Sequence, residues 1–222
     1  MTREEMKRRR KKRRRIQIAV RIFAFLFVFG VFCALSFKLF QFSPWNNTYV
    51  ERTGAEVDQL QPEIQEELLT PNRYSRPGIK TERIRGIVIH YTANPGSSAM
   101  QNRNYFEGLK DTHLTEASSH FVVGLEGEII QCVPLNEVAY ASNNRNSDTI
   151  SVETCHWEED GAYTDETYES MVQLTAWLCK KYDLTEQDII RHYDIKGKIC
   201  PKYFVDHEDA WEQFKMDVKE RL

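Results

Sequence analysis

The chain has 222 residues, 41% hydrophobic and 28% charged, enough for one domain with a sizeable core plus appendages. Its formal charge of −3 hides an asymmetry: residues 1–41 carry 12 Lys/Arg against two acids, and the remainder 18 bases against 31 acids. A basic nucleic-acid binder is disfavoured by that balance, and five scattered cysteines are too few for a disulfide scaffold.

Lys7 to Arg15 is an unbroken run of nine bases, and Ile22 to Phe37 follows as sixteen residues without a charge, bracketed by Arg21 and Lys38. With snorkelling ends, about 20 such residues span a bilayer as a helix, and the basic run stays on the cytoplasmic side. The pattern predicts a basic cytoplasmic segment (1–15) and a transmembrane signal anchor (16–42). The bulk of the chain is then outside the cytoplasmic membrane. Ala34-Leu35-Ser36 offers a small-x-small cleavage site, so a cleaved signal peptide is the competing reading. Residues 43–78 are polar and acidic, broken by Pro44, Pro62, Pro71 and Pro77, and read as a stalk. Leu60, Ile64 and Leu68 recur on one face and predict a short helix over 57–69 within it.

From Thr81 the pattern becomes that of a domain. Gly86 to Tyr91 is a β-branched run suited to a strand buried on both faces. Residues 98–110 read as a helix, and 119–123 with 128–133 as a hairpin around Gly124–Gly127. A strand at 149–154, a helix at 165–182, a Thr185/Asp188 capping signal before a short strand at 189–192, and a helix at 206–222 complete the chain. Strands mixed with helices define an α/β or α+β domain with one core.

Two histidines end predicted strands, His90 and His192, and Cys200 follows eight residues after the second. Two imidazoles and a thiolate are a suitable Zn²⁺ donor set, and three protein ligands leave a fourth position open, as in catalytic zinc sites. Spacing alone leaves the bland reading open, in which the histidines are satisfied core residues and the cysteine a small hydrophobe. Cys132, Cys155 and Cys179 lie on or beside apolar runs and read as buried thiols, with a Cys132–Cys155 bridge as an alternative. His156 and Glu158 after Cys155 offer a second metal-site pattern, which their place in a polar loop disfavours, and His113 and His207 read as surface residues.

Four segments carry a resemblance: Ile87-Val88-Ile89-His90-Tyr91-Thr92-Ala93; Ser118-Ser119-His120-Phe121-Val122-Val123; Ile150-Ser151-Val152-Glu153; and Arg191-His192-Tyr193-Asp194 through Lys198-Ile199-Cys200-Pro201. In this order, over about residues 81–205, they resemble the zinc-dependent N-acetylmuramoyl-L-alanine amidases of the type 2 family, relatives of peptidoglycan-recognition proteins. The resemblance implies a central mixed β-sheet flanked by helices and makes residues 79–222 the amidase catalytic domain. It implies Zn²⁺ as cofactor, held by His90, His192 and Cys200, with Glu153 as general base and Lys198 facing the reacting oxygen. Peptidoglycan or its muropeptides would be the partner, beside the membrane reached through the N-terminal helix. Ser119 stands where several relatives have a catalytic Tyr, which leaves the base role to Glu153. The stretch Ala139-Tyr140-Ala141-Ser142 lacks a His that many relatives carry. His120 matches a non-ligand position and reads as a packed strand histidine. The competing functions are a non-catalytic peptidoglycan-binding module of the same fold and a cysteine hydrolase using Cys200.

Overall fold

A computed structural model of the protein describes residues 54–222. The expected basic segment (1–15), the membrane span (16–42) and the first part of the stalk lie outside the described residues. Among the described residues no helix is long and apolar enough to cross a membrane.

The elements in chain order are α1 (Ala55–Asp58), β1 (Gln65–Glu66), β2 (Gly86–Tyr91), α2 (Ala99–Thr112), β3 (Phe121–Val123) and β4 (Ile129–Gln131). They continue as β5 (Thr149–Thr154), α3 (Asp165–Tyr182), β6 (Ile189–Arg191), α4 (His192–Lys196), α5 (Lys202–Asp206) and α6 (Glu208–Glu220). Six strands form one sheet in the order β1-β4-β3-β5-β2-β6. Only the β3–β4 hairpin pairs antiparallel, so the sheet is mixed, as the resemblance implied. Gly127 closes that hairpin at φ +82, and a Cβ there would stand 2.9 Å from the Glu166 carbonyl oxygen, which requires glycine twice over.

Period-two alternation assigns the two faces of the sheet. Ile87 and Ile89 of β2 and Ile150 and Val152 of β5 point into one core, with Met171, Leu174 and Leu178 of α3 and Trp211, Phe214 and Val218 of α6. The opposite face packs Val122 and Ile130 against Ala99, Phe106 and Leu109 of α2. On that second face, the ends of β2 and β5 carry His90 and Glu153, directly opposite each other in the parallel register. The helix predicted over 165–182 is found with those bounds, entered by Thr164, whose side chain accepts the Thr167 N–H. Ser98 and Gln101 form a reciprocal cap at the start of α2, and Thr185 and Asp188 a second one before β6.

Three expectations are corrected. The stretch 54–78 is not a free stalk. Its β1 adds an edge strand to β4, and Leu69, 1% exposed, is buried in the α2-side core. The Arg76 guanidinium grips Glu137 through Nε at 2.8 Å and Nη2 at 3.2 Å, and also donates to the Leu69 carbonyl oxygen. The predicted 57–69 helix shrinks to Ala55–Asp58, because Pro62 has no N–H for a helical bond while the β4 edge supplies ladder partners instead. The predicted 206–222 helix is broken at His207, whose backbone lies at φ −128 and ψ 83 between α5 and α6.

Candidate metal centre and active site

Three separate elements bring the donors together. His90 lies near the end of β2, which its neighbours on both sides hold by parallel ladders. His192 opens α4 directly after β6, and its neighbour Arg191 fixes that junction. Arg191 is 7% exposed, and its side chain donates to Asp194 Oδ1 at 2.9 Å, Glu208 Oε2 at 2.6 Å and the Phe204 carbonyl oxygen at 2.9 Å. Asp194 returns a bond, accepting the Arg191 backbone N–H at 2.8 Å. Gly197 ends α4 at φ +71, and the loop folds back so that the Tyr193 N–H donates to the Cys200 carbonyl oxygen at 2.9 Å. That closure places the Cys200 thiol beside His90, and the Lys198 charge is felt at His90, His192 and Glu153.

The donor atoms of His90, His192 and Cys200 all lie within 4.8 Å of one another, and all three residues are buried. Cys200 Sγ is 3.7 Å from His90 Nδ1. A tetrahedral ion with bonds of 2.0–2.3 Å needs donor separations of about 3.5 Å, so this edge already fits. His192 Nδ1 is buried with no hydrogen-bond partner, which costs free energy unless something binds it. Two nitrogens and a sulfur suit Zn²⁺. Glu153 places Oε1 4.0 Å from His90 Nδ1, and its buried Oε2 is also unpartnered.

The electrostatics follow from burial. It pushes the Glu153 carboxyl up to about 8, against the pull of the Lys198 ammonium. It also pushes the Cys200 thiol up to about 12, with the Glu153 charge adding to the effect. Both histidines are driven below the usual imidazole value, His90 well below it, by burial first and then by neighbouring positive charge. A nucleophilic cysteine needs a depressed thiol in an exposed, electropositive place. Cys200 is 2% exposed with a raised thiol, so the cysteine-hydrolase reading has the wrong physics.

A family model described as N-acetylmuramoyl-L-alanine amidase matches residues 80–203. The N-acetylmuramoyl-L-alanine amidase CwlL of Bacillus licheniformis is 40% identical over 164 residues, 68% of this chain and 45% of the relative. The chain belongs to the N-acetylmuramoyl-L-alanine amidase family. BlyA, an amidase of the same description from Bacillus subtilis, is 36% identical over 172 residues, again covering 68% of this chain and 45% of the relative. The chain thus spans under half the length of these two relatives. The solved structure of PlyL superposes with a TM-score of 0.62 at 26% identity, covering 71% of this chain and 98% of that one.

As a member of this amidase family the chain keeps its departures where the sequence placed them. The Ser119 hydroxyl donates to the backbone carbonyls of Phe121 and Ser151, and the residue is fully buried. It has no part in the cluster. His120 is packed and hydrogen-bonded as expected, though it stands just before β3 rather than in the strand. Its Nδ1 accepts the Ser151 N–H at 3.0 Å, its Nε2 donates to the Glu137 carbonyl oxygen at 2.9 Å, and burial pushes it down to about 4. Cys132, Cys155 and Cys179 are free buried thiols, so the alternative bridge is not formed. His156 lies in the expected loop after β5 but is itself buried. It stacks on Tyr91 and joins no metal-competent cluster among the described residues. His113 and His207 are exposed. Sequence reasoning missed Ser142 and Asn143 as contacts of the two candidate ligands, at 3.2 Å from His90 Nε2 and 2.9 Å from His192 Nε2. Both lie in a turn just before β5, with nothing in their local pattern to connect them to residues about 50 positions away.

Proposed function

We propose that the protein is a zinc-dependent N-acetylmuramoyl-L-alanine amidase, hydrolysing the amide between the lactyl group of N-acetylmuramic acid and L-alanine in peptidoglycan. The observation that carries this reading is the convergence of the His90, His192 and Cys200 donors beside Glu153, with His192 Nδ1 and Glu153 Oε2 left unpartnered. A binding module has no use for an unpaired carboxyl beside a complete donor set, which favours the enzyme. His90, His192 and Cys200 would hold the ion. When bound, Zn²⁺ supplies a Lewis acid that polarises the scissile carbonyl and acidifies water.

The remaining chemistry belongs to the chain. Glu153, half-buried and 4.0 Å from His90, takes a proton from the attacking water and returns it to the departing L-alanine amine. The carbonyl oxygen becomes anionic as its carbon turns tetrahedral, and the Lys198 ammonium, carried by the loop before Cys200, offsets that charge. Exposed Tyr193 and Ile199 stand next to His192 and Cys200 and give the rim apolar surface for a sugar ring or stem peptide. Zinc-loaded protein should release peptides from purified peptidoglycan, and Cys200→Ala should lose zinc and activity together. Full zinc occupancy in that variant would sink the assignment.

The proposal extends to topology: a single-pass protein anchored by residues 16–42, with the enzyme outside the cytoplasmic membrane. The nine-base run and the uncharged stretch 22–37 support it, and the substrate lies on that side. Protease added to wall-stripped cells should remove the domain and leave the basic terminus protected. Protection of the whole chain would contradict this topology, and release of the chain into the medium would favour a cleaved signal instead.

A further inference from the structure

We propose that Ser142 and Asn143, adjacent residues of one turn, are positioning residues that hold the ring orientations of His90 and His192, with Asn143 also setting the His192 tautomer, so that both rings turn Nδ1 to the metal. The inference rests on the reading of His90, His192 and Cys200 as the zinc set.

The two rings are held in the same sense. His90 turns Nδ1 toward Cys200 Sγ, at 3.7 Å, and Glu153 Oε1, at 4.0 Å, while its Nε2 lies 3.2 Å from Ser142 Oγ. His192 leaves Nδ1 unpartnered, while its Nε2 lies 2.9 Å from Asn143 Oδ1. An amide oxygen only accepts, so the His192 proton sits on Nε2 and the lone pair on Nδ1. Imidazole ligates only through an unprotonated nitrogen, and the hydrogen bond made by the other nitrogen decides which one that is. The Ser142 hydroxyl can donate as well as accept, so it holds the orientation of the His90 ring and accepts from Nε2 when Nδ1 is the ligating nitrogen.

The turn is built to keep these acceptors in place. Asn146 Oδ1 accepts the backbone N–H groups of Ala141 at 3.1 Å and Ser142 at 2.5 Å. The Arg145 N–H donates to the Ser142 carbonyl oxygen, and the Thr149 hydroxyl ties the Arg145 carbonyl oxygen to the start of β5 at 2.6 Å. Ser142 is fully buried, and Asn143 sits at φ +54, a left-handed conformation that Asn tolerates better than most residues. One turn thereby addresses rings from two different elements, the end of β2 and the start of α4.

The test measures metal affinity in the full chain, solubilised in detergent, by competition for zinc with a chromophoric chelator. Co²⁺ absorption provides a second readout of ligand geometry. Ser142→Ala and Asn143→Gly should each weaken zinc binding about 10–100-fold and alter the Co²⁺ spectrum. Glycine accepts the positive φ at 143, so only the acceptor is lost. Asn143→Asp keeps an acceptor and should restore the parent's affinity, which a merely structural role would not require. Thermal unfolding of the metal-free proteins checks the fold. If Asn143→Gly unfolds, Ser142→Ala and Asn143→Asp decide. Unchanged affinity in Ser142→Ala and Asn143→Gly, or an Asn143→Asp variant as weak as Asn143→Gly, would overturn the proposal. A parent that binds no zinc, or a Cys200→Ala variant that binds it as tightly as the parent, would show instead that the metal set itself is wrong, and the proposal would fall with it.

Discussion

Leu69→Ala tests whether the segment ahead of the family-matched region is part of the folded domain. Leu69 is 1% exposed and packs in the α2-side core with Phe106, Leu109, Val122 and Ile130, while its N–H donates to the Cys132 carbonyl oxygen at 2.9 Å. Truncating a buried leucine removes its transfer free energy and leaves a cavity, together about 2.7–5.0 kcal/mol in well-packed sites. Taking about 3 kcal/mol, and an unfolding entropy of about 2.1 cal/mol/K per residue over a domain of about 170 residues, the Tm should fall by about 8 °C. The assay is thermal unfolding of parent and variant at the same fixed zinc excess, so that ligand linkage is equal in both. A tethering stalk that merely lay on the surface would give under about 0.5 kcal/mol. A shift below about 2 °C would therefore refute the assignment of residues 54–78 to the domain.

Other outcomes follow from the site and its surroundings. Glu153→Gln is nearly isosteric and should keep zinc while losing about 10²–10⁴-fold in turnover; near-parental turnover would show that another group accepts the proton. Lys198→Ala should lose about 10²-fold in kcat, and Lys198→Arg, which keeps the charge, should recover much of it; equal losses would deny the residue an electrostatic role. The Arg76 guanidinium holds the Glu137 carboxyl below the usual carboxylate range. The folded-state value is depressed, so this pair stabilises the protein above about pH 4.5 and the contribution is lost as pH falls through the folded value. Urea midpoints should drop less between pH 6 and pH 3.5 in Arg76→Gln than in the parent, and an identical drop would remove Glu137 from the account.

Much of the domain was legible because its signals are local. The apolar spacing of Met171, Val172, Leu178 and Tyr182 defines α3, and the β-branched run 87–89 defines a strand buried on both faces. The site was legible in part for the same reason, since His90 lies near a strand end, His192 directly follows a strand, and Cys200 comes close behind. The family resemblance supplied the pairing that spacing alone left open. Long-range pairing was not legible. Residues 65–66 are polar and exposed and look like linker, yet the unpaired edge of β4 recruits them, because edge N–H and C=O groups take any extended partner within reach. Burial of Arg76 against Glu137 depends on residues 61 positions apart, and the Ser142 and Asn143 contacts on separations of 52 and 49. No window of sequence contains those pairs. The break at His207 also escaped, because the apolar spacing of Trp211, Phe214 and Val218 reads as one helix with the turn before it.

The most direct test of the account is the product of the reaction. Purified peptidoglycan digested by the zinc-loaded full chain should yield, by mass spectrometry, glycan strands with free lactyl carboxylates and peptides with a free L-alanine amine, the two differing from the parent material by one added water. New reducing sugar ends, cleavage within the stem peptide, or no products from protein carrying one zinc per chain would contradict the proposed amidase activity.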